Sequence, residues 1–434
     1  MIMDFGTFVE KLGLNNAESE VLFPGFEHSL RLLTESGNAI ETLSPSYLDM
    51  VLPWIGFPTE DEAMLRRFAV RVKNDPVALL LFFHAERTLF FRECDPKTIC
   101  AWPDFREFFG AEHPLFYLLL SCAVFAPTLK NYRRAGLPEE QVRRIGAKIL
   151  SSSWINRQAF GIPGYARNAI YWLRHYVDLK VIPVGRFEFR HGMATIYGVE
   201  VFRRKSDGAV LTLFGPKPCG FRQDGSGCPA EDPLAVSSGG TIWTRDAVIG
   251  HALGPETGRS LGVVRLPLAE WSPVITAASP VLEWHIPGGG GMTPEVTITA
   301  LKEGIAFFDR YFPQLPSPVA VMCSSWAFWH RYEELRPQAN PALVMRECYE
   351  FNRPPRGFNG FYFIFGANKP EELPGKPRRD TSIRRVMLDV LDSEGALGVG
   401  GVFILREDLR RWGTAPYRTV LRCNDWQRYL VSGQ

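Results

Sequence analysis

Between Val281 and Glu295 the chain reads Val-Leu-Glu-Trp-His-Ile-Pro, four glycines, then Met-Thr-Pro-Glu. On a strand, Glu283 and His285 lie two residues apart and face one way, while Leu282, Trp284 and Ile286 face the other. A carboxylate beside an imidazole holds the ring's tautomer and raises its basicity, as a general base needs in order to take a proton from an amine or hydroxyl. Gly288, Gly289, Gly290 and Gly291 let the backbone approach a ligand or adopt positive φ. Thr293 then suits a helix N-cap, Pro294 the first helical position and Glu295 the first turn. Free amides at such a junction suit a phosphate, pyrophosphate or carboxylate. The same residues also make a plain connection over a sheet edge, with Glu295 complementing the helix dipole and His285 satisfied by a backbone carbonyl. No lysine follows the glycines and no G-x-G-x-x-G spacing occurs, so neither the P-loop nor the dinucleotide fingerprint fits.

A second group lies at Cys323-Ser324-Ser325-Trp326, followed by His330 and Tyr332. Cys323 near His285 is a candidate nucleophile for covalent catalysis, or else a small buried apolar residue. Ser324 and Ser325 read as nucleophiles or as N-caps. Tyr332 is a candidate acid for a leaving thiolate, or a core aromatic. Gly258-Arg259-Ser260-Leu261-Gly262 matches G-x-S-x-G, yet a nucleophile elbow needs a strand before the serine and a helix after it. Here Pro255 precedes and the strand-like run Val263 to Leu268 follows, which speaks against a serine hydrolase.

These residues need elements to position them. From Asp4 to about Trp172 apolar residues recur at three- and four-residue spacing, with Pro53, Pro58, Pro76, Pro96, Pro103, Pro114 and Pro127 between the periodic blocks, which predicts an all-helical domain. Gly164 to Asp178 predicts one more helix, leading into a strand over Leu179 to Arg190. There Arg186, Glu188 and Arg190 alternate with Phe187 and Phe189, the period of a half-buried strand. Strands over Ala194 to Arg203 and Ala209 to Phe214 flank the turn at Lys205-Ser206-Asp207-Gly208. Gly215 to Gly240 reads as a surface loop. Strands at Val281 to Ile286, Val319 to Cys323, Phe361 to Phe365 and Gly401 to Leu405 then alternate with helices at Pro294 to Phe312, Ala327 to Leu335 and Ser382 to Leu391. The fold class is therefore α+β or α/β: a helical domain over 1–163, then a mixed-sheet domain over 164–434.

The bulk numbers exclude several classes. With 434 residues, 46% of them apolar, the chain holds a sizeable core. A net charge of +2 from 49 basic and 47 acidic residues, well mixed, gives no footprint for nucleic acid. Asp4 and the lack of an apolar core in the first residues predict no secretory signal, and apolar runs such as Leu115 to Pro127 are shorter than a membrane span needs. Eight cysteines include no C-x-x-C pair, so no zinc ribbon and no metal site is expected. Cys219 and Cys228 flank a glycine-rich stretch and form either a disulfide clip or two free thiols in a reducing cytosol. The expected compartment is cytoplasmic.

Several runs carry a family resemblance. HIPGGGGMTPE (285–295), AFFDRYFP (306–313), VMCSSW (321–326), TSIRRVMLDVL (381–391), GVGGVFIL (398–405) and LKVIPVGRFEF (179–189) resemble bacterial acyltransferase-domain proteins. These pair a helical N-terminal acyltransferase domain with a GNAT-like C-terminal domain, and the resemblance covers most of residues 150–410. It implies acyl transfer from acyl-CoA or acetyl-CoA to an amine or hydroxyl, with small-molecule donor and acceptor as partners. It further implies that Gly288 to Gly291 and Thr293 surround the pyrophosphate, that Glu283 or His285 is the base, and that Tyr332 is the acid. Two other readings stand beside it: a GNAT-like scaffold that binds a ligand without turnover, and a cysteine-dependent enzyme using Cys323 and His285.

Overall fold

A computed structural model of the chain describes residues 4–91, 95–215, 217–353, 357–418 and 425–431. Contacts divide it into two compact units. The first is Met1–Pro183 with Pro287–Gly289 and Leu373–Gly375; the second is Val184–Ile286, Gly290–Glu372 and Lys376–Gln434.

The first unit is helical, and its helix ends follow side-chain chemistry. Ser44 accepts the amide of Tyr47 ahead of the helix Pro45–Ile55, which Gly56 closes at φ 74. Asp75 accepts the amides of Val77 and Ala78 ahead of Pro76–Phe90, a helix buried on almost every side. The helical run Pro114–Ala135 is long and apolar enough to cross a membrane by length and composition, but 78% of its most apolar window is buried inside the unit, as a core helix would be. The expected helix over Gly164 to Asp178 is two short ones, Arg167–Ile170 and Leu173–Val177. Between them Trp172 bonds back to Ala169 and Arg174 to Tyr171, three-residue bonds that break the α-helical register. The compact unit continues past residue 163 through both helices to Pro183.

The second unit is built on a mixed sheet. Its strands are β1 (Phe187–Met193), β2 (Pro280–His285), β3 (Ala320–Ser325), β5 (Val399–Leu405) and β4 (Tyr349–Arg353), in that spatial order. β2 and β3 are parallel and joined by the long helix Pro294–Tyr311; β1 with β2, β3 with β5, and β4 with β5 are antiparallel. The expected continuous strand over Leu179 to Arg190 is interrupted at Gly185, whose φ of 57 makes a turn. The alternation beyond it places Phe187 and Phe189 in the core. Gly304 of the long helix lies so close to Phe189 that a Cβ there would meet the ring at 2.6 Å.

A second, antiparallel sheet contains Val199–Arg204, Val210–Phe214, Ala247–Leu253, Ser260–Pro267 and Trp271–Ile275 around a core of Phe202, Leu211, Leu213, Val264 and Trp271. The stretch expected as a surface loop, Gly215 to Gly240, instead folds into three short strands, Cys219–Phe221, Gly227–Cys228 and Ser237–Gly239. Cys219 and Cys228 are free thiols there. Gly220 pairs with Cys228, so strand alternation turns the Cys219 side chain to the other face. Phe361–Phe365, expected as a strand, is one helical turn set between Gly360 at φ 83 and Gly366 at φ 84. Five apolar residues are too few for periodicity to separate the two states.

Candidate active site

The parallel pair β2–β3 forks. Val281 lies opposite Ala320, Leu282 opposite Val321 and Glu283 opposite Met322, where the pairing stops although β2 runs on to His285 and β3 to Ser325. Each strand keeps its outer neighbour: Trp284 and His285 stay paired with Phe189 and Glu188 of β1, and Ser324 and Ser325 with Gly401 and Gly400 of β5. Two strands that hold outward and release each other open a wedge at their carboxyl ends, where ligands enter open sheets.

Alternation assigns the side chains to the two faces of the wedge. Glu188, Arg190, Glu283 and His285 share one face with Ser324. Glu283 is buried, and the Arg190 guanidinium stands 2.5 Å from its carboxylate. His285 is half-buried, with Nε2 3.9 Å from the same Glu283 oxygen. Glu283 and His285 thus share a face, as strand alternation predicts, and Arg190 joins them there. Sequence reading placed Arg186, Glu188 and Arg190 on one face of their strand, but the strand lies about a hundred residues earlier and nothing local joins it to Glu283. Arg190 holds the Glu283 carboxylate, and His285 is the more exposed of the two, its Nε2 at 3.9 Å lying beyond hydrogen-bond reach of that carboxylate.

Cys323 stands on the other face. It extends the register beside Trp284, whose ring packs at 5.3 Å from Phe328, and it pairs with Val402. The thiol is fully buried, and burial pushes its pKa well up, the opposite of what a nucleophilic thiolate requires. Alternation thus sets Cys323 and His285 on opposite faces of the sheet. Ser325 caps a short turn by accepting the amide of Ala327. Tyr332 lies on the helix His330–Leu335 between the rings of Trp326 and Trp329. It is buried, its hydroxyl meets no hydrogen-bond partner among the described residues, and burial raises its pKa.

The glycine run follows β2. Gly289 and Gly290 take φ 76 and 69, and Pro287–Gly289 group with the first unit, where a Cβ on Gly288 would run into Ser151. The helix beyond does not offer its own first turn to a ligand. Thr293 Oγ1 accepts the amide of Val296, the amide of Thr297 goes to Thr293 O, and the Glu295 carboxylate, held below its usual pKa by its own amide and by Thr293, sits over what remains. Thr293, expected beside the pyrophosphate, serves here as the helix N-cap, with the amides of Val296 and Thr297 already bonded to it. The amides of Gly290, Gly291 and Met292 donate to no described residue. A cleft of about 300 Å³ lies beside the loop, lined by Arg186, Glu295, Val296, Thr299, Ala300 and Glu303. No cluster of three metal-ligating side chains occurs among the described residues.

Two family models match the chain, one described as a GNAT-like C-terminal domain over residues 181–403 and one as an N-acyltransferase N-terminal domain over residues 46–179. The first alone spans more than half of the 434 residues. The chain belongs to the GNAT-like C-terminal domain family. The forked sheet, the glycine loop and the long helix all lie inside that GNAT-like domain, and the helical unit carries the N-acyltransferase N-terminal match. Among solved structures, an acyltransferase variant in complex with octanoyl-CoA aligns at 17% identity and TM-score 0.56, covering 93% of this chain and 99% of that one. An acyltransferase in complex with CoA and 10C-Teicoplanin matches with the same figures. Another, with decanoyl-CoA and teicoplanin, aligns at 18% identity and TM-score 0.54, again covering 93% and 99%. At such identities the likeness is one of fold. No curated protein sequence matches.

Proposed function

We propose that the protein transfers an acyl group from acyl-CoA to a small-molecule amine or hydroxyl acceptor by direct transfer, without a covalent enzyme intermediate. The observation that carries this reading is the fork between β2 and β3, which opens beside His285 at the end of the strand that leads into the glycine loop. Membership of the GNAT-like family supports it, and so do neighbours of the same fold that hold octanoyl-CoA or decanoyl-CoA.

The residues present fit a CoA thioester in two places. Strand edges released at the fork carry peptide groups able to pair with an extended amide-bearing arm. Loop amides at Gly290, Gly291 and Met292 suit a pyrophosphate, because consecutive amides around a left-handed glycine converge on an anion. The neighbouring cleft, with Glu295 and Glu303 against one guanidinium, does not suit a phosphate. His285, beside Glu283, takes the proton as the acceptor's lone pair attacks the thioester carbonyl; the tetrahedral intermediate then expels the CoA thiolate. Tyr332, a neutral hydroxyl, is the proposed acid for that thiolate. A cytoplasmic setting accords with the six free cysteines among the described residues.

Calorimetry with CoA, followed by thiol release from octanoyl-CoA and acetyl-CoA against a panel of amines and alcohols, tests the proposal. Binding with acceptor-dependent thiol release is the expected result. A protein that binds no CoA refutes it, and one that binds CoA tightly but never turns over is a sensor on the same scaffold.

A further inference from the structure

Arg186 reaches across from the turn before β1 and grips the glycine loop by two successive carbonyls. Its Nε donates to Gly291 O at 3.0 Å and its Nη2 to Gly290 O at 3.4 Å. The contact depends on glycine: a Cβ on Gly290 would stand 3.0 Å from Nε, and Gly290 holds φ 69, which side chains resist. Gly185, at φ 57, makes the turn that presents the guanidinium. Half-burial of Arg186 and its contact with the Phe187 ring, 5.6 Å away, limit its freedom.

The consequence follows from peptide planarity. In a trans peptide the C=O of one residue and the N–H of the next point in opposite directions. With the carbonyls of Gly290 and Gly291 both turned to Arg186, the amides of Gly291 and Met292 must both point away from it. Two adjacent amides are thereby aimed together, away from the guanidinium and from the cleft carboxylates it borders. Without that hold, a run of four glycines has no side chain to fix any of its peptide planes.

We propose that Arg186 is a positioning residue for phosphate recognition: its fork locks the Gly290–Met292 peptides so that their amides are presented to the pyrophosphate of the acyl-CoA. It does so as a bidentate clamp on carbonyls and not as a phosphate ligand. The inference rests on the proposed function, because it needs CoA to be the ligand. A lysine keeps the charge but offers one ammonium in place of a planar fork and cannot hold both carbonyls.

Calorimetry with CoA, and acyl transfer from octanoyl-CoA and from octanoyl-pantetheine, which lacks the pyrophosphate, separate the possibilities in wild type, Arg186→Gln and Arg186→Lys. Both variants are expected to weaken CoA about tenfold or more, by loss of roughly one strong hydrogen-bonded contact's worth of affinity, and to raise KM for octanoyl-CoA with kcat little changed. Activity with octanoyl-pantetheine should stay at the wild-type level. Equal losses with both donors would mean a structural role, wild-type CoA affinity in Arg186→Lys would mean that charge alone matters, and either overturns the proposal. If wild type itself binds no CoA, the functional reading fails first, and that outcome is distinct from the other two.

Discussion

Arg190 and Glu283 meet at 2.5 Å across the β1–β2 pair, and the same Glu283 oxygen lies 3.9 Å from His285 Nε2. One buried carboxylate thus has a cation on one side and a ring on the other. Removing Arg190 leaves Glu283 charged and buried with no full counter-ion. Arg190→Met should therefore lower unfolding free energy by about 2–3 kcal/mol in urea, less than for a fully buried pair because Arg190 is partly exposed. The double variant Arg190→Met, Glu283→Gln should recover much of it, and no recovery would show that packing rather than charge is lost.

His285 is the half-buried member of the group, and its imidazole is the proposed base. His285→Gln should lower kcat by about a hundredfold or more while leaving CoA affinity unchanged, read from steady-state kinetics and calorimetry. A variant with wild-type kcat would remove His285 from the chemistry.

Cys323 faces away from His285 with its thiol buried. Cys323→Ala should retain full activity at a stability cost of roughly 1 kcal/mol from a small cavity. Iodoacetamide should modify wild-type Cys323 more slowly than a free thiol, as peptide mapping would record. Rapid labelling with loss of turnover would restore the covalent reading.

Gly304 carries the long helix against the sheet at Phe189. Gly304→Ala inserts a methyl 2.6 Å from that ring, which overpacking makes unfavourable by about 1–3 kcal/mol, against a helix-propensity gain of about 1 kcal/mol. The net expectation is a lower Tm. A higher Tm would mean that the helix rides on the sheet with room to spare.

His84 in the helical unit is buried, its Nε2 donating to Leu22 O at 2.7 Å and its Nδ1 accepting from Ser29 Oγ at 2.9 Å, and burial lowers its pKa to about 4. The unfolded chain takes up that proton near pH 6.5, whereas the folded chain resists it until about 4. Stability from His84 is therefore intact above pH 6.5, falls as pH drops towards 4 and levels off below. Relative to His84→Gln, which has no proton to take up, the wild type should lose on the order of 3 kcal/mol across that window in urea titrations. A constant difference between the two proteins would place His84 in a far wetter site.

Much of this protein was readable from local chemistry alone. The helical unit, the alternation at Phe187 and Phe189, the Thr293-Pro294 helix start and the shared face of Glu283 and His285 all depend on residues close together in the chain, where periodicity and capping act directly. What lay beyond it were relations between distant segments. Where β2 parts from β3, which face Cys323 takes, and that Arg190 and Arg186 reach Glu283 and the glycine loop are set by strand register and by which strand becomes whose neighbour. A one-residue change of register would have put Cys323 beside His285, and no local preference among these residues opposes it; only the packing of the assembled sheet does.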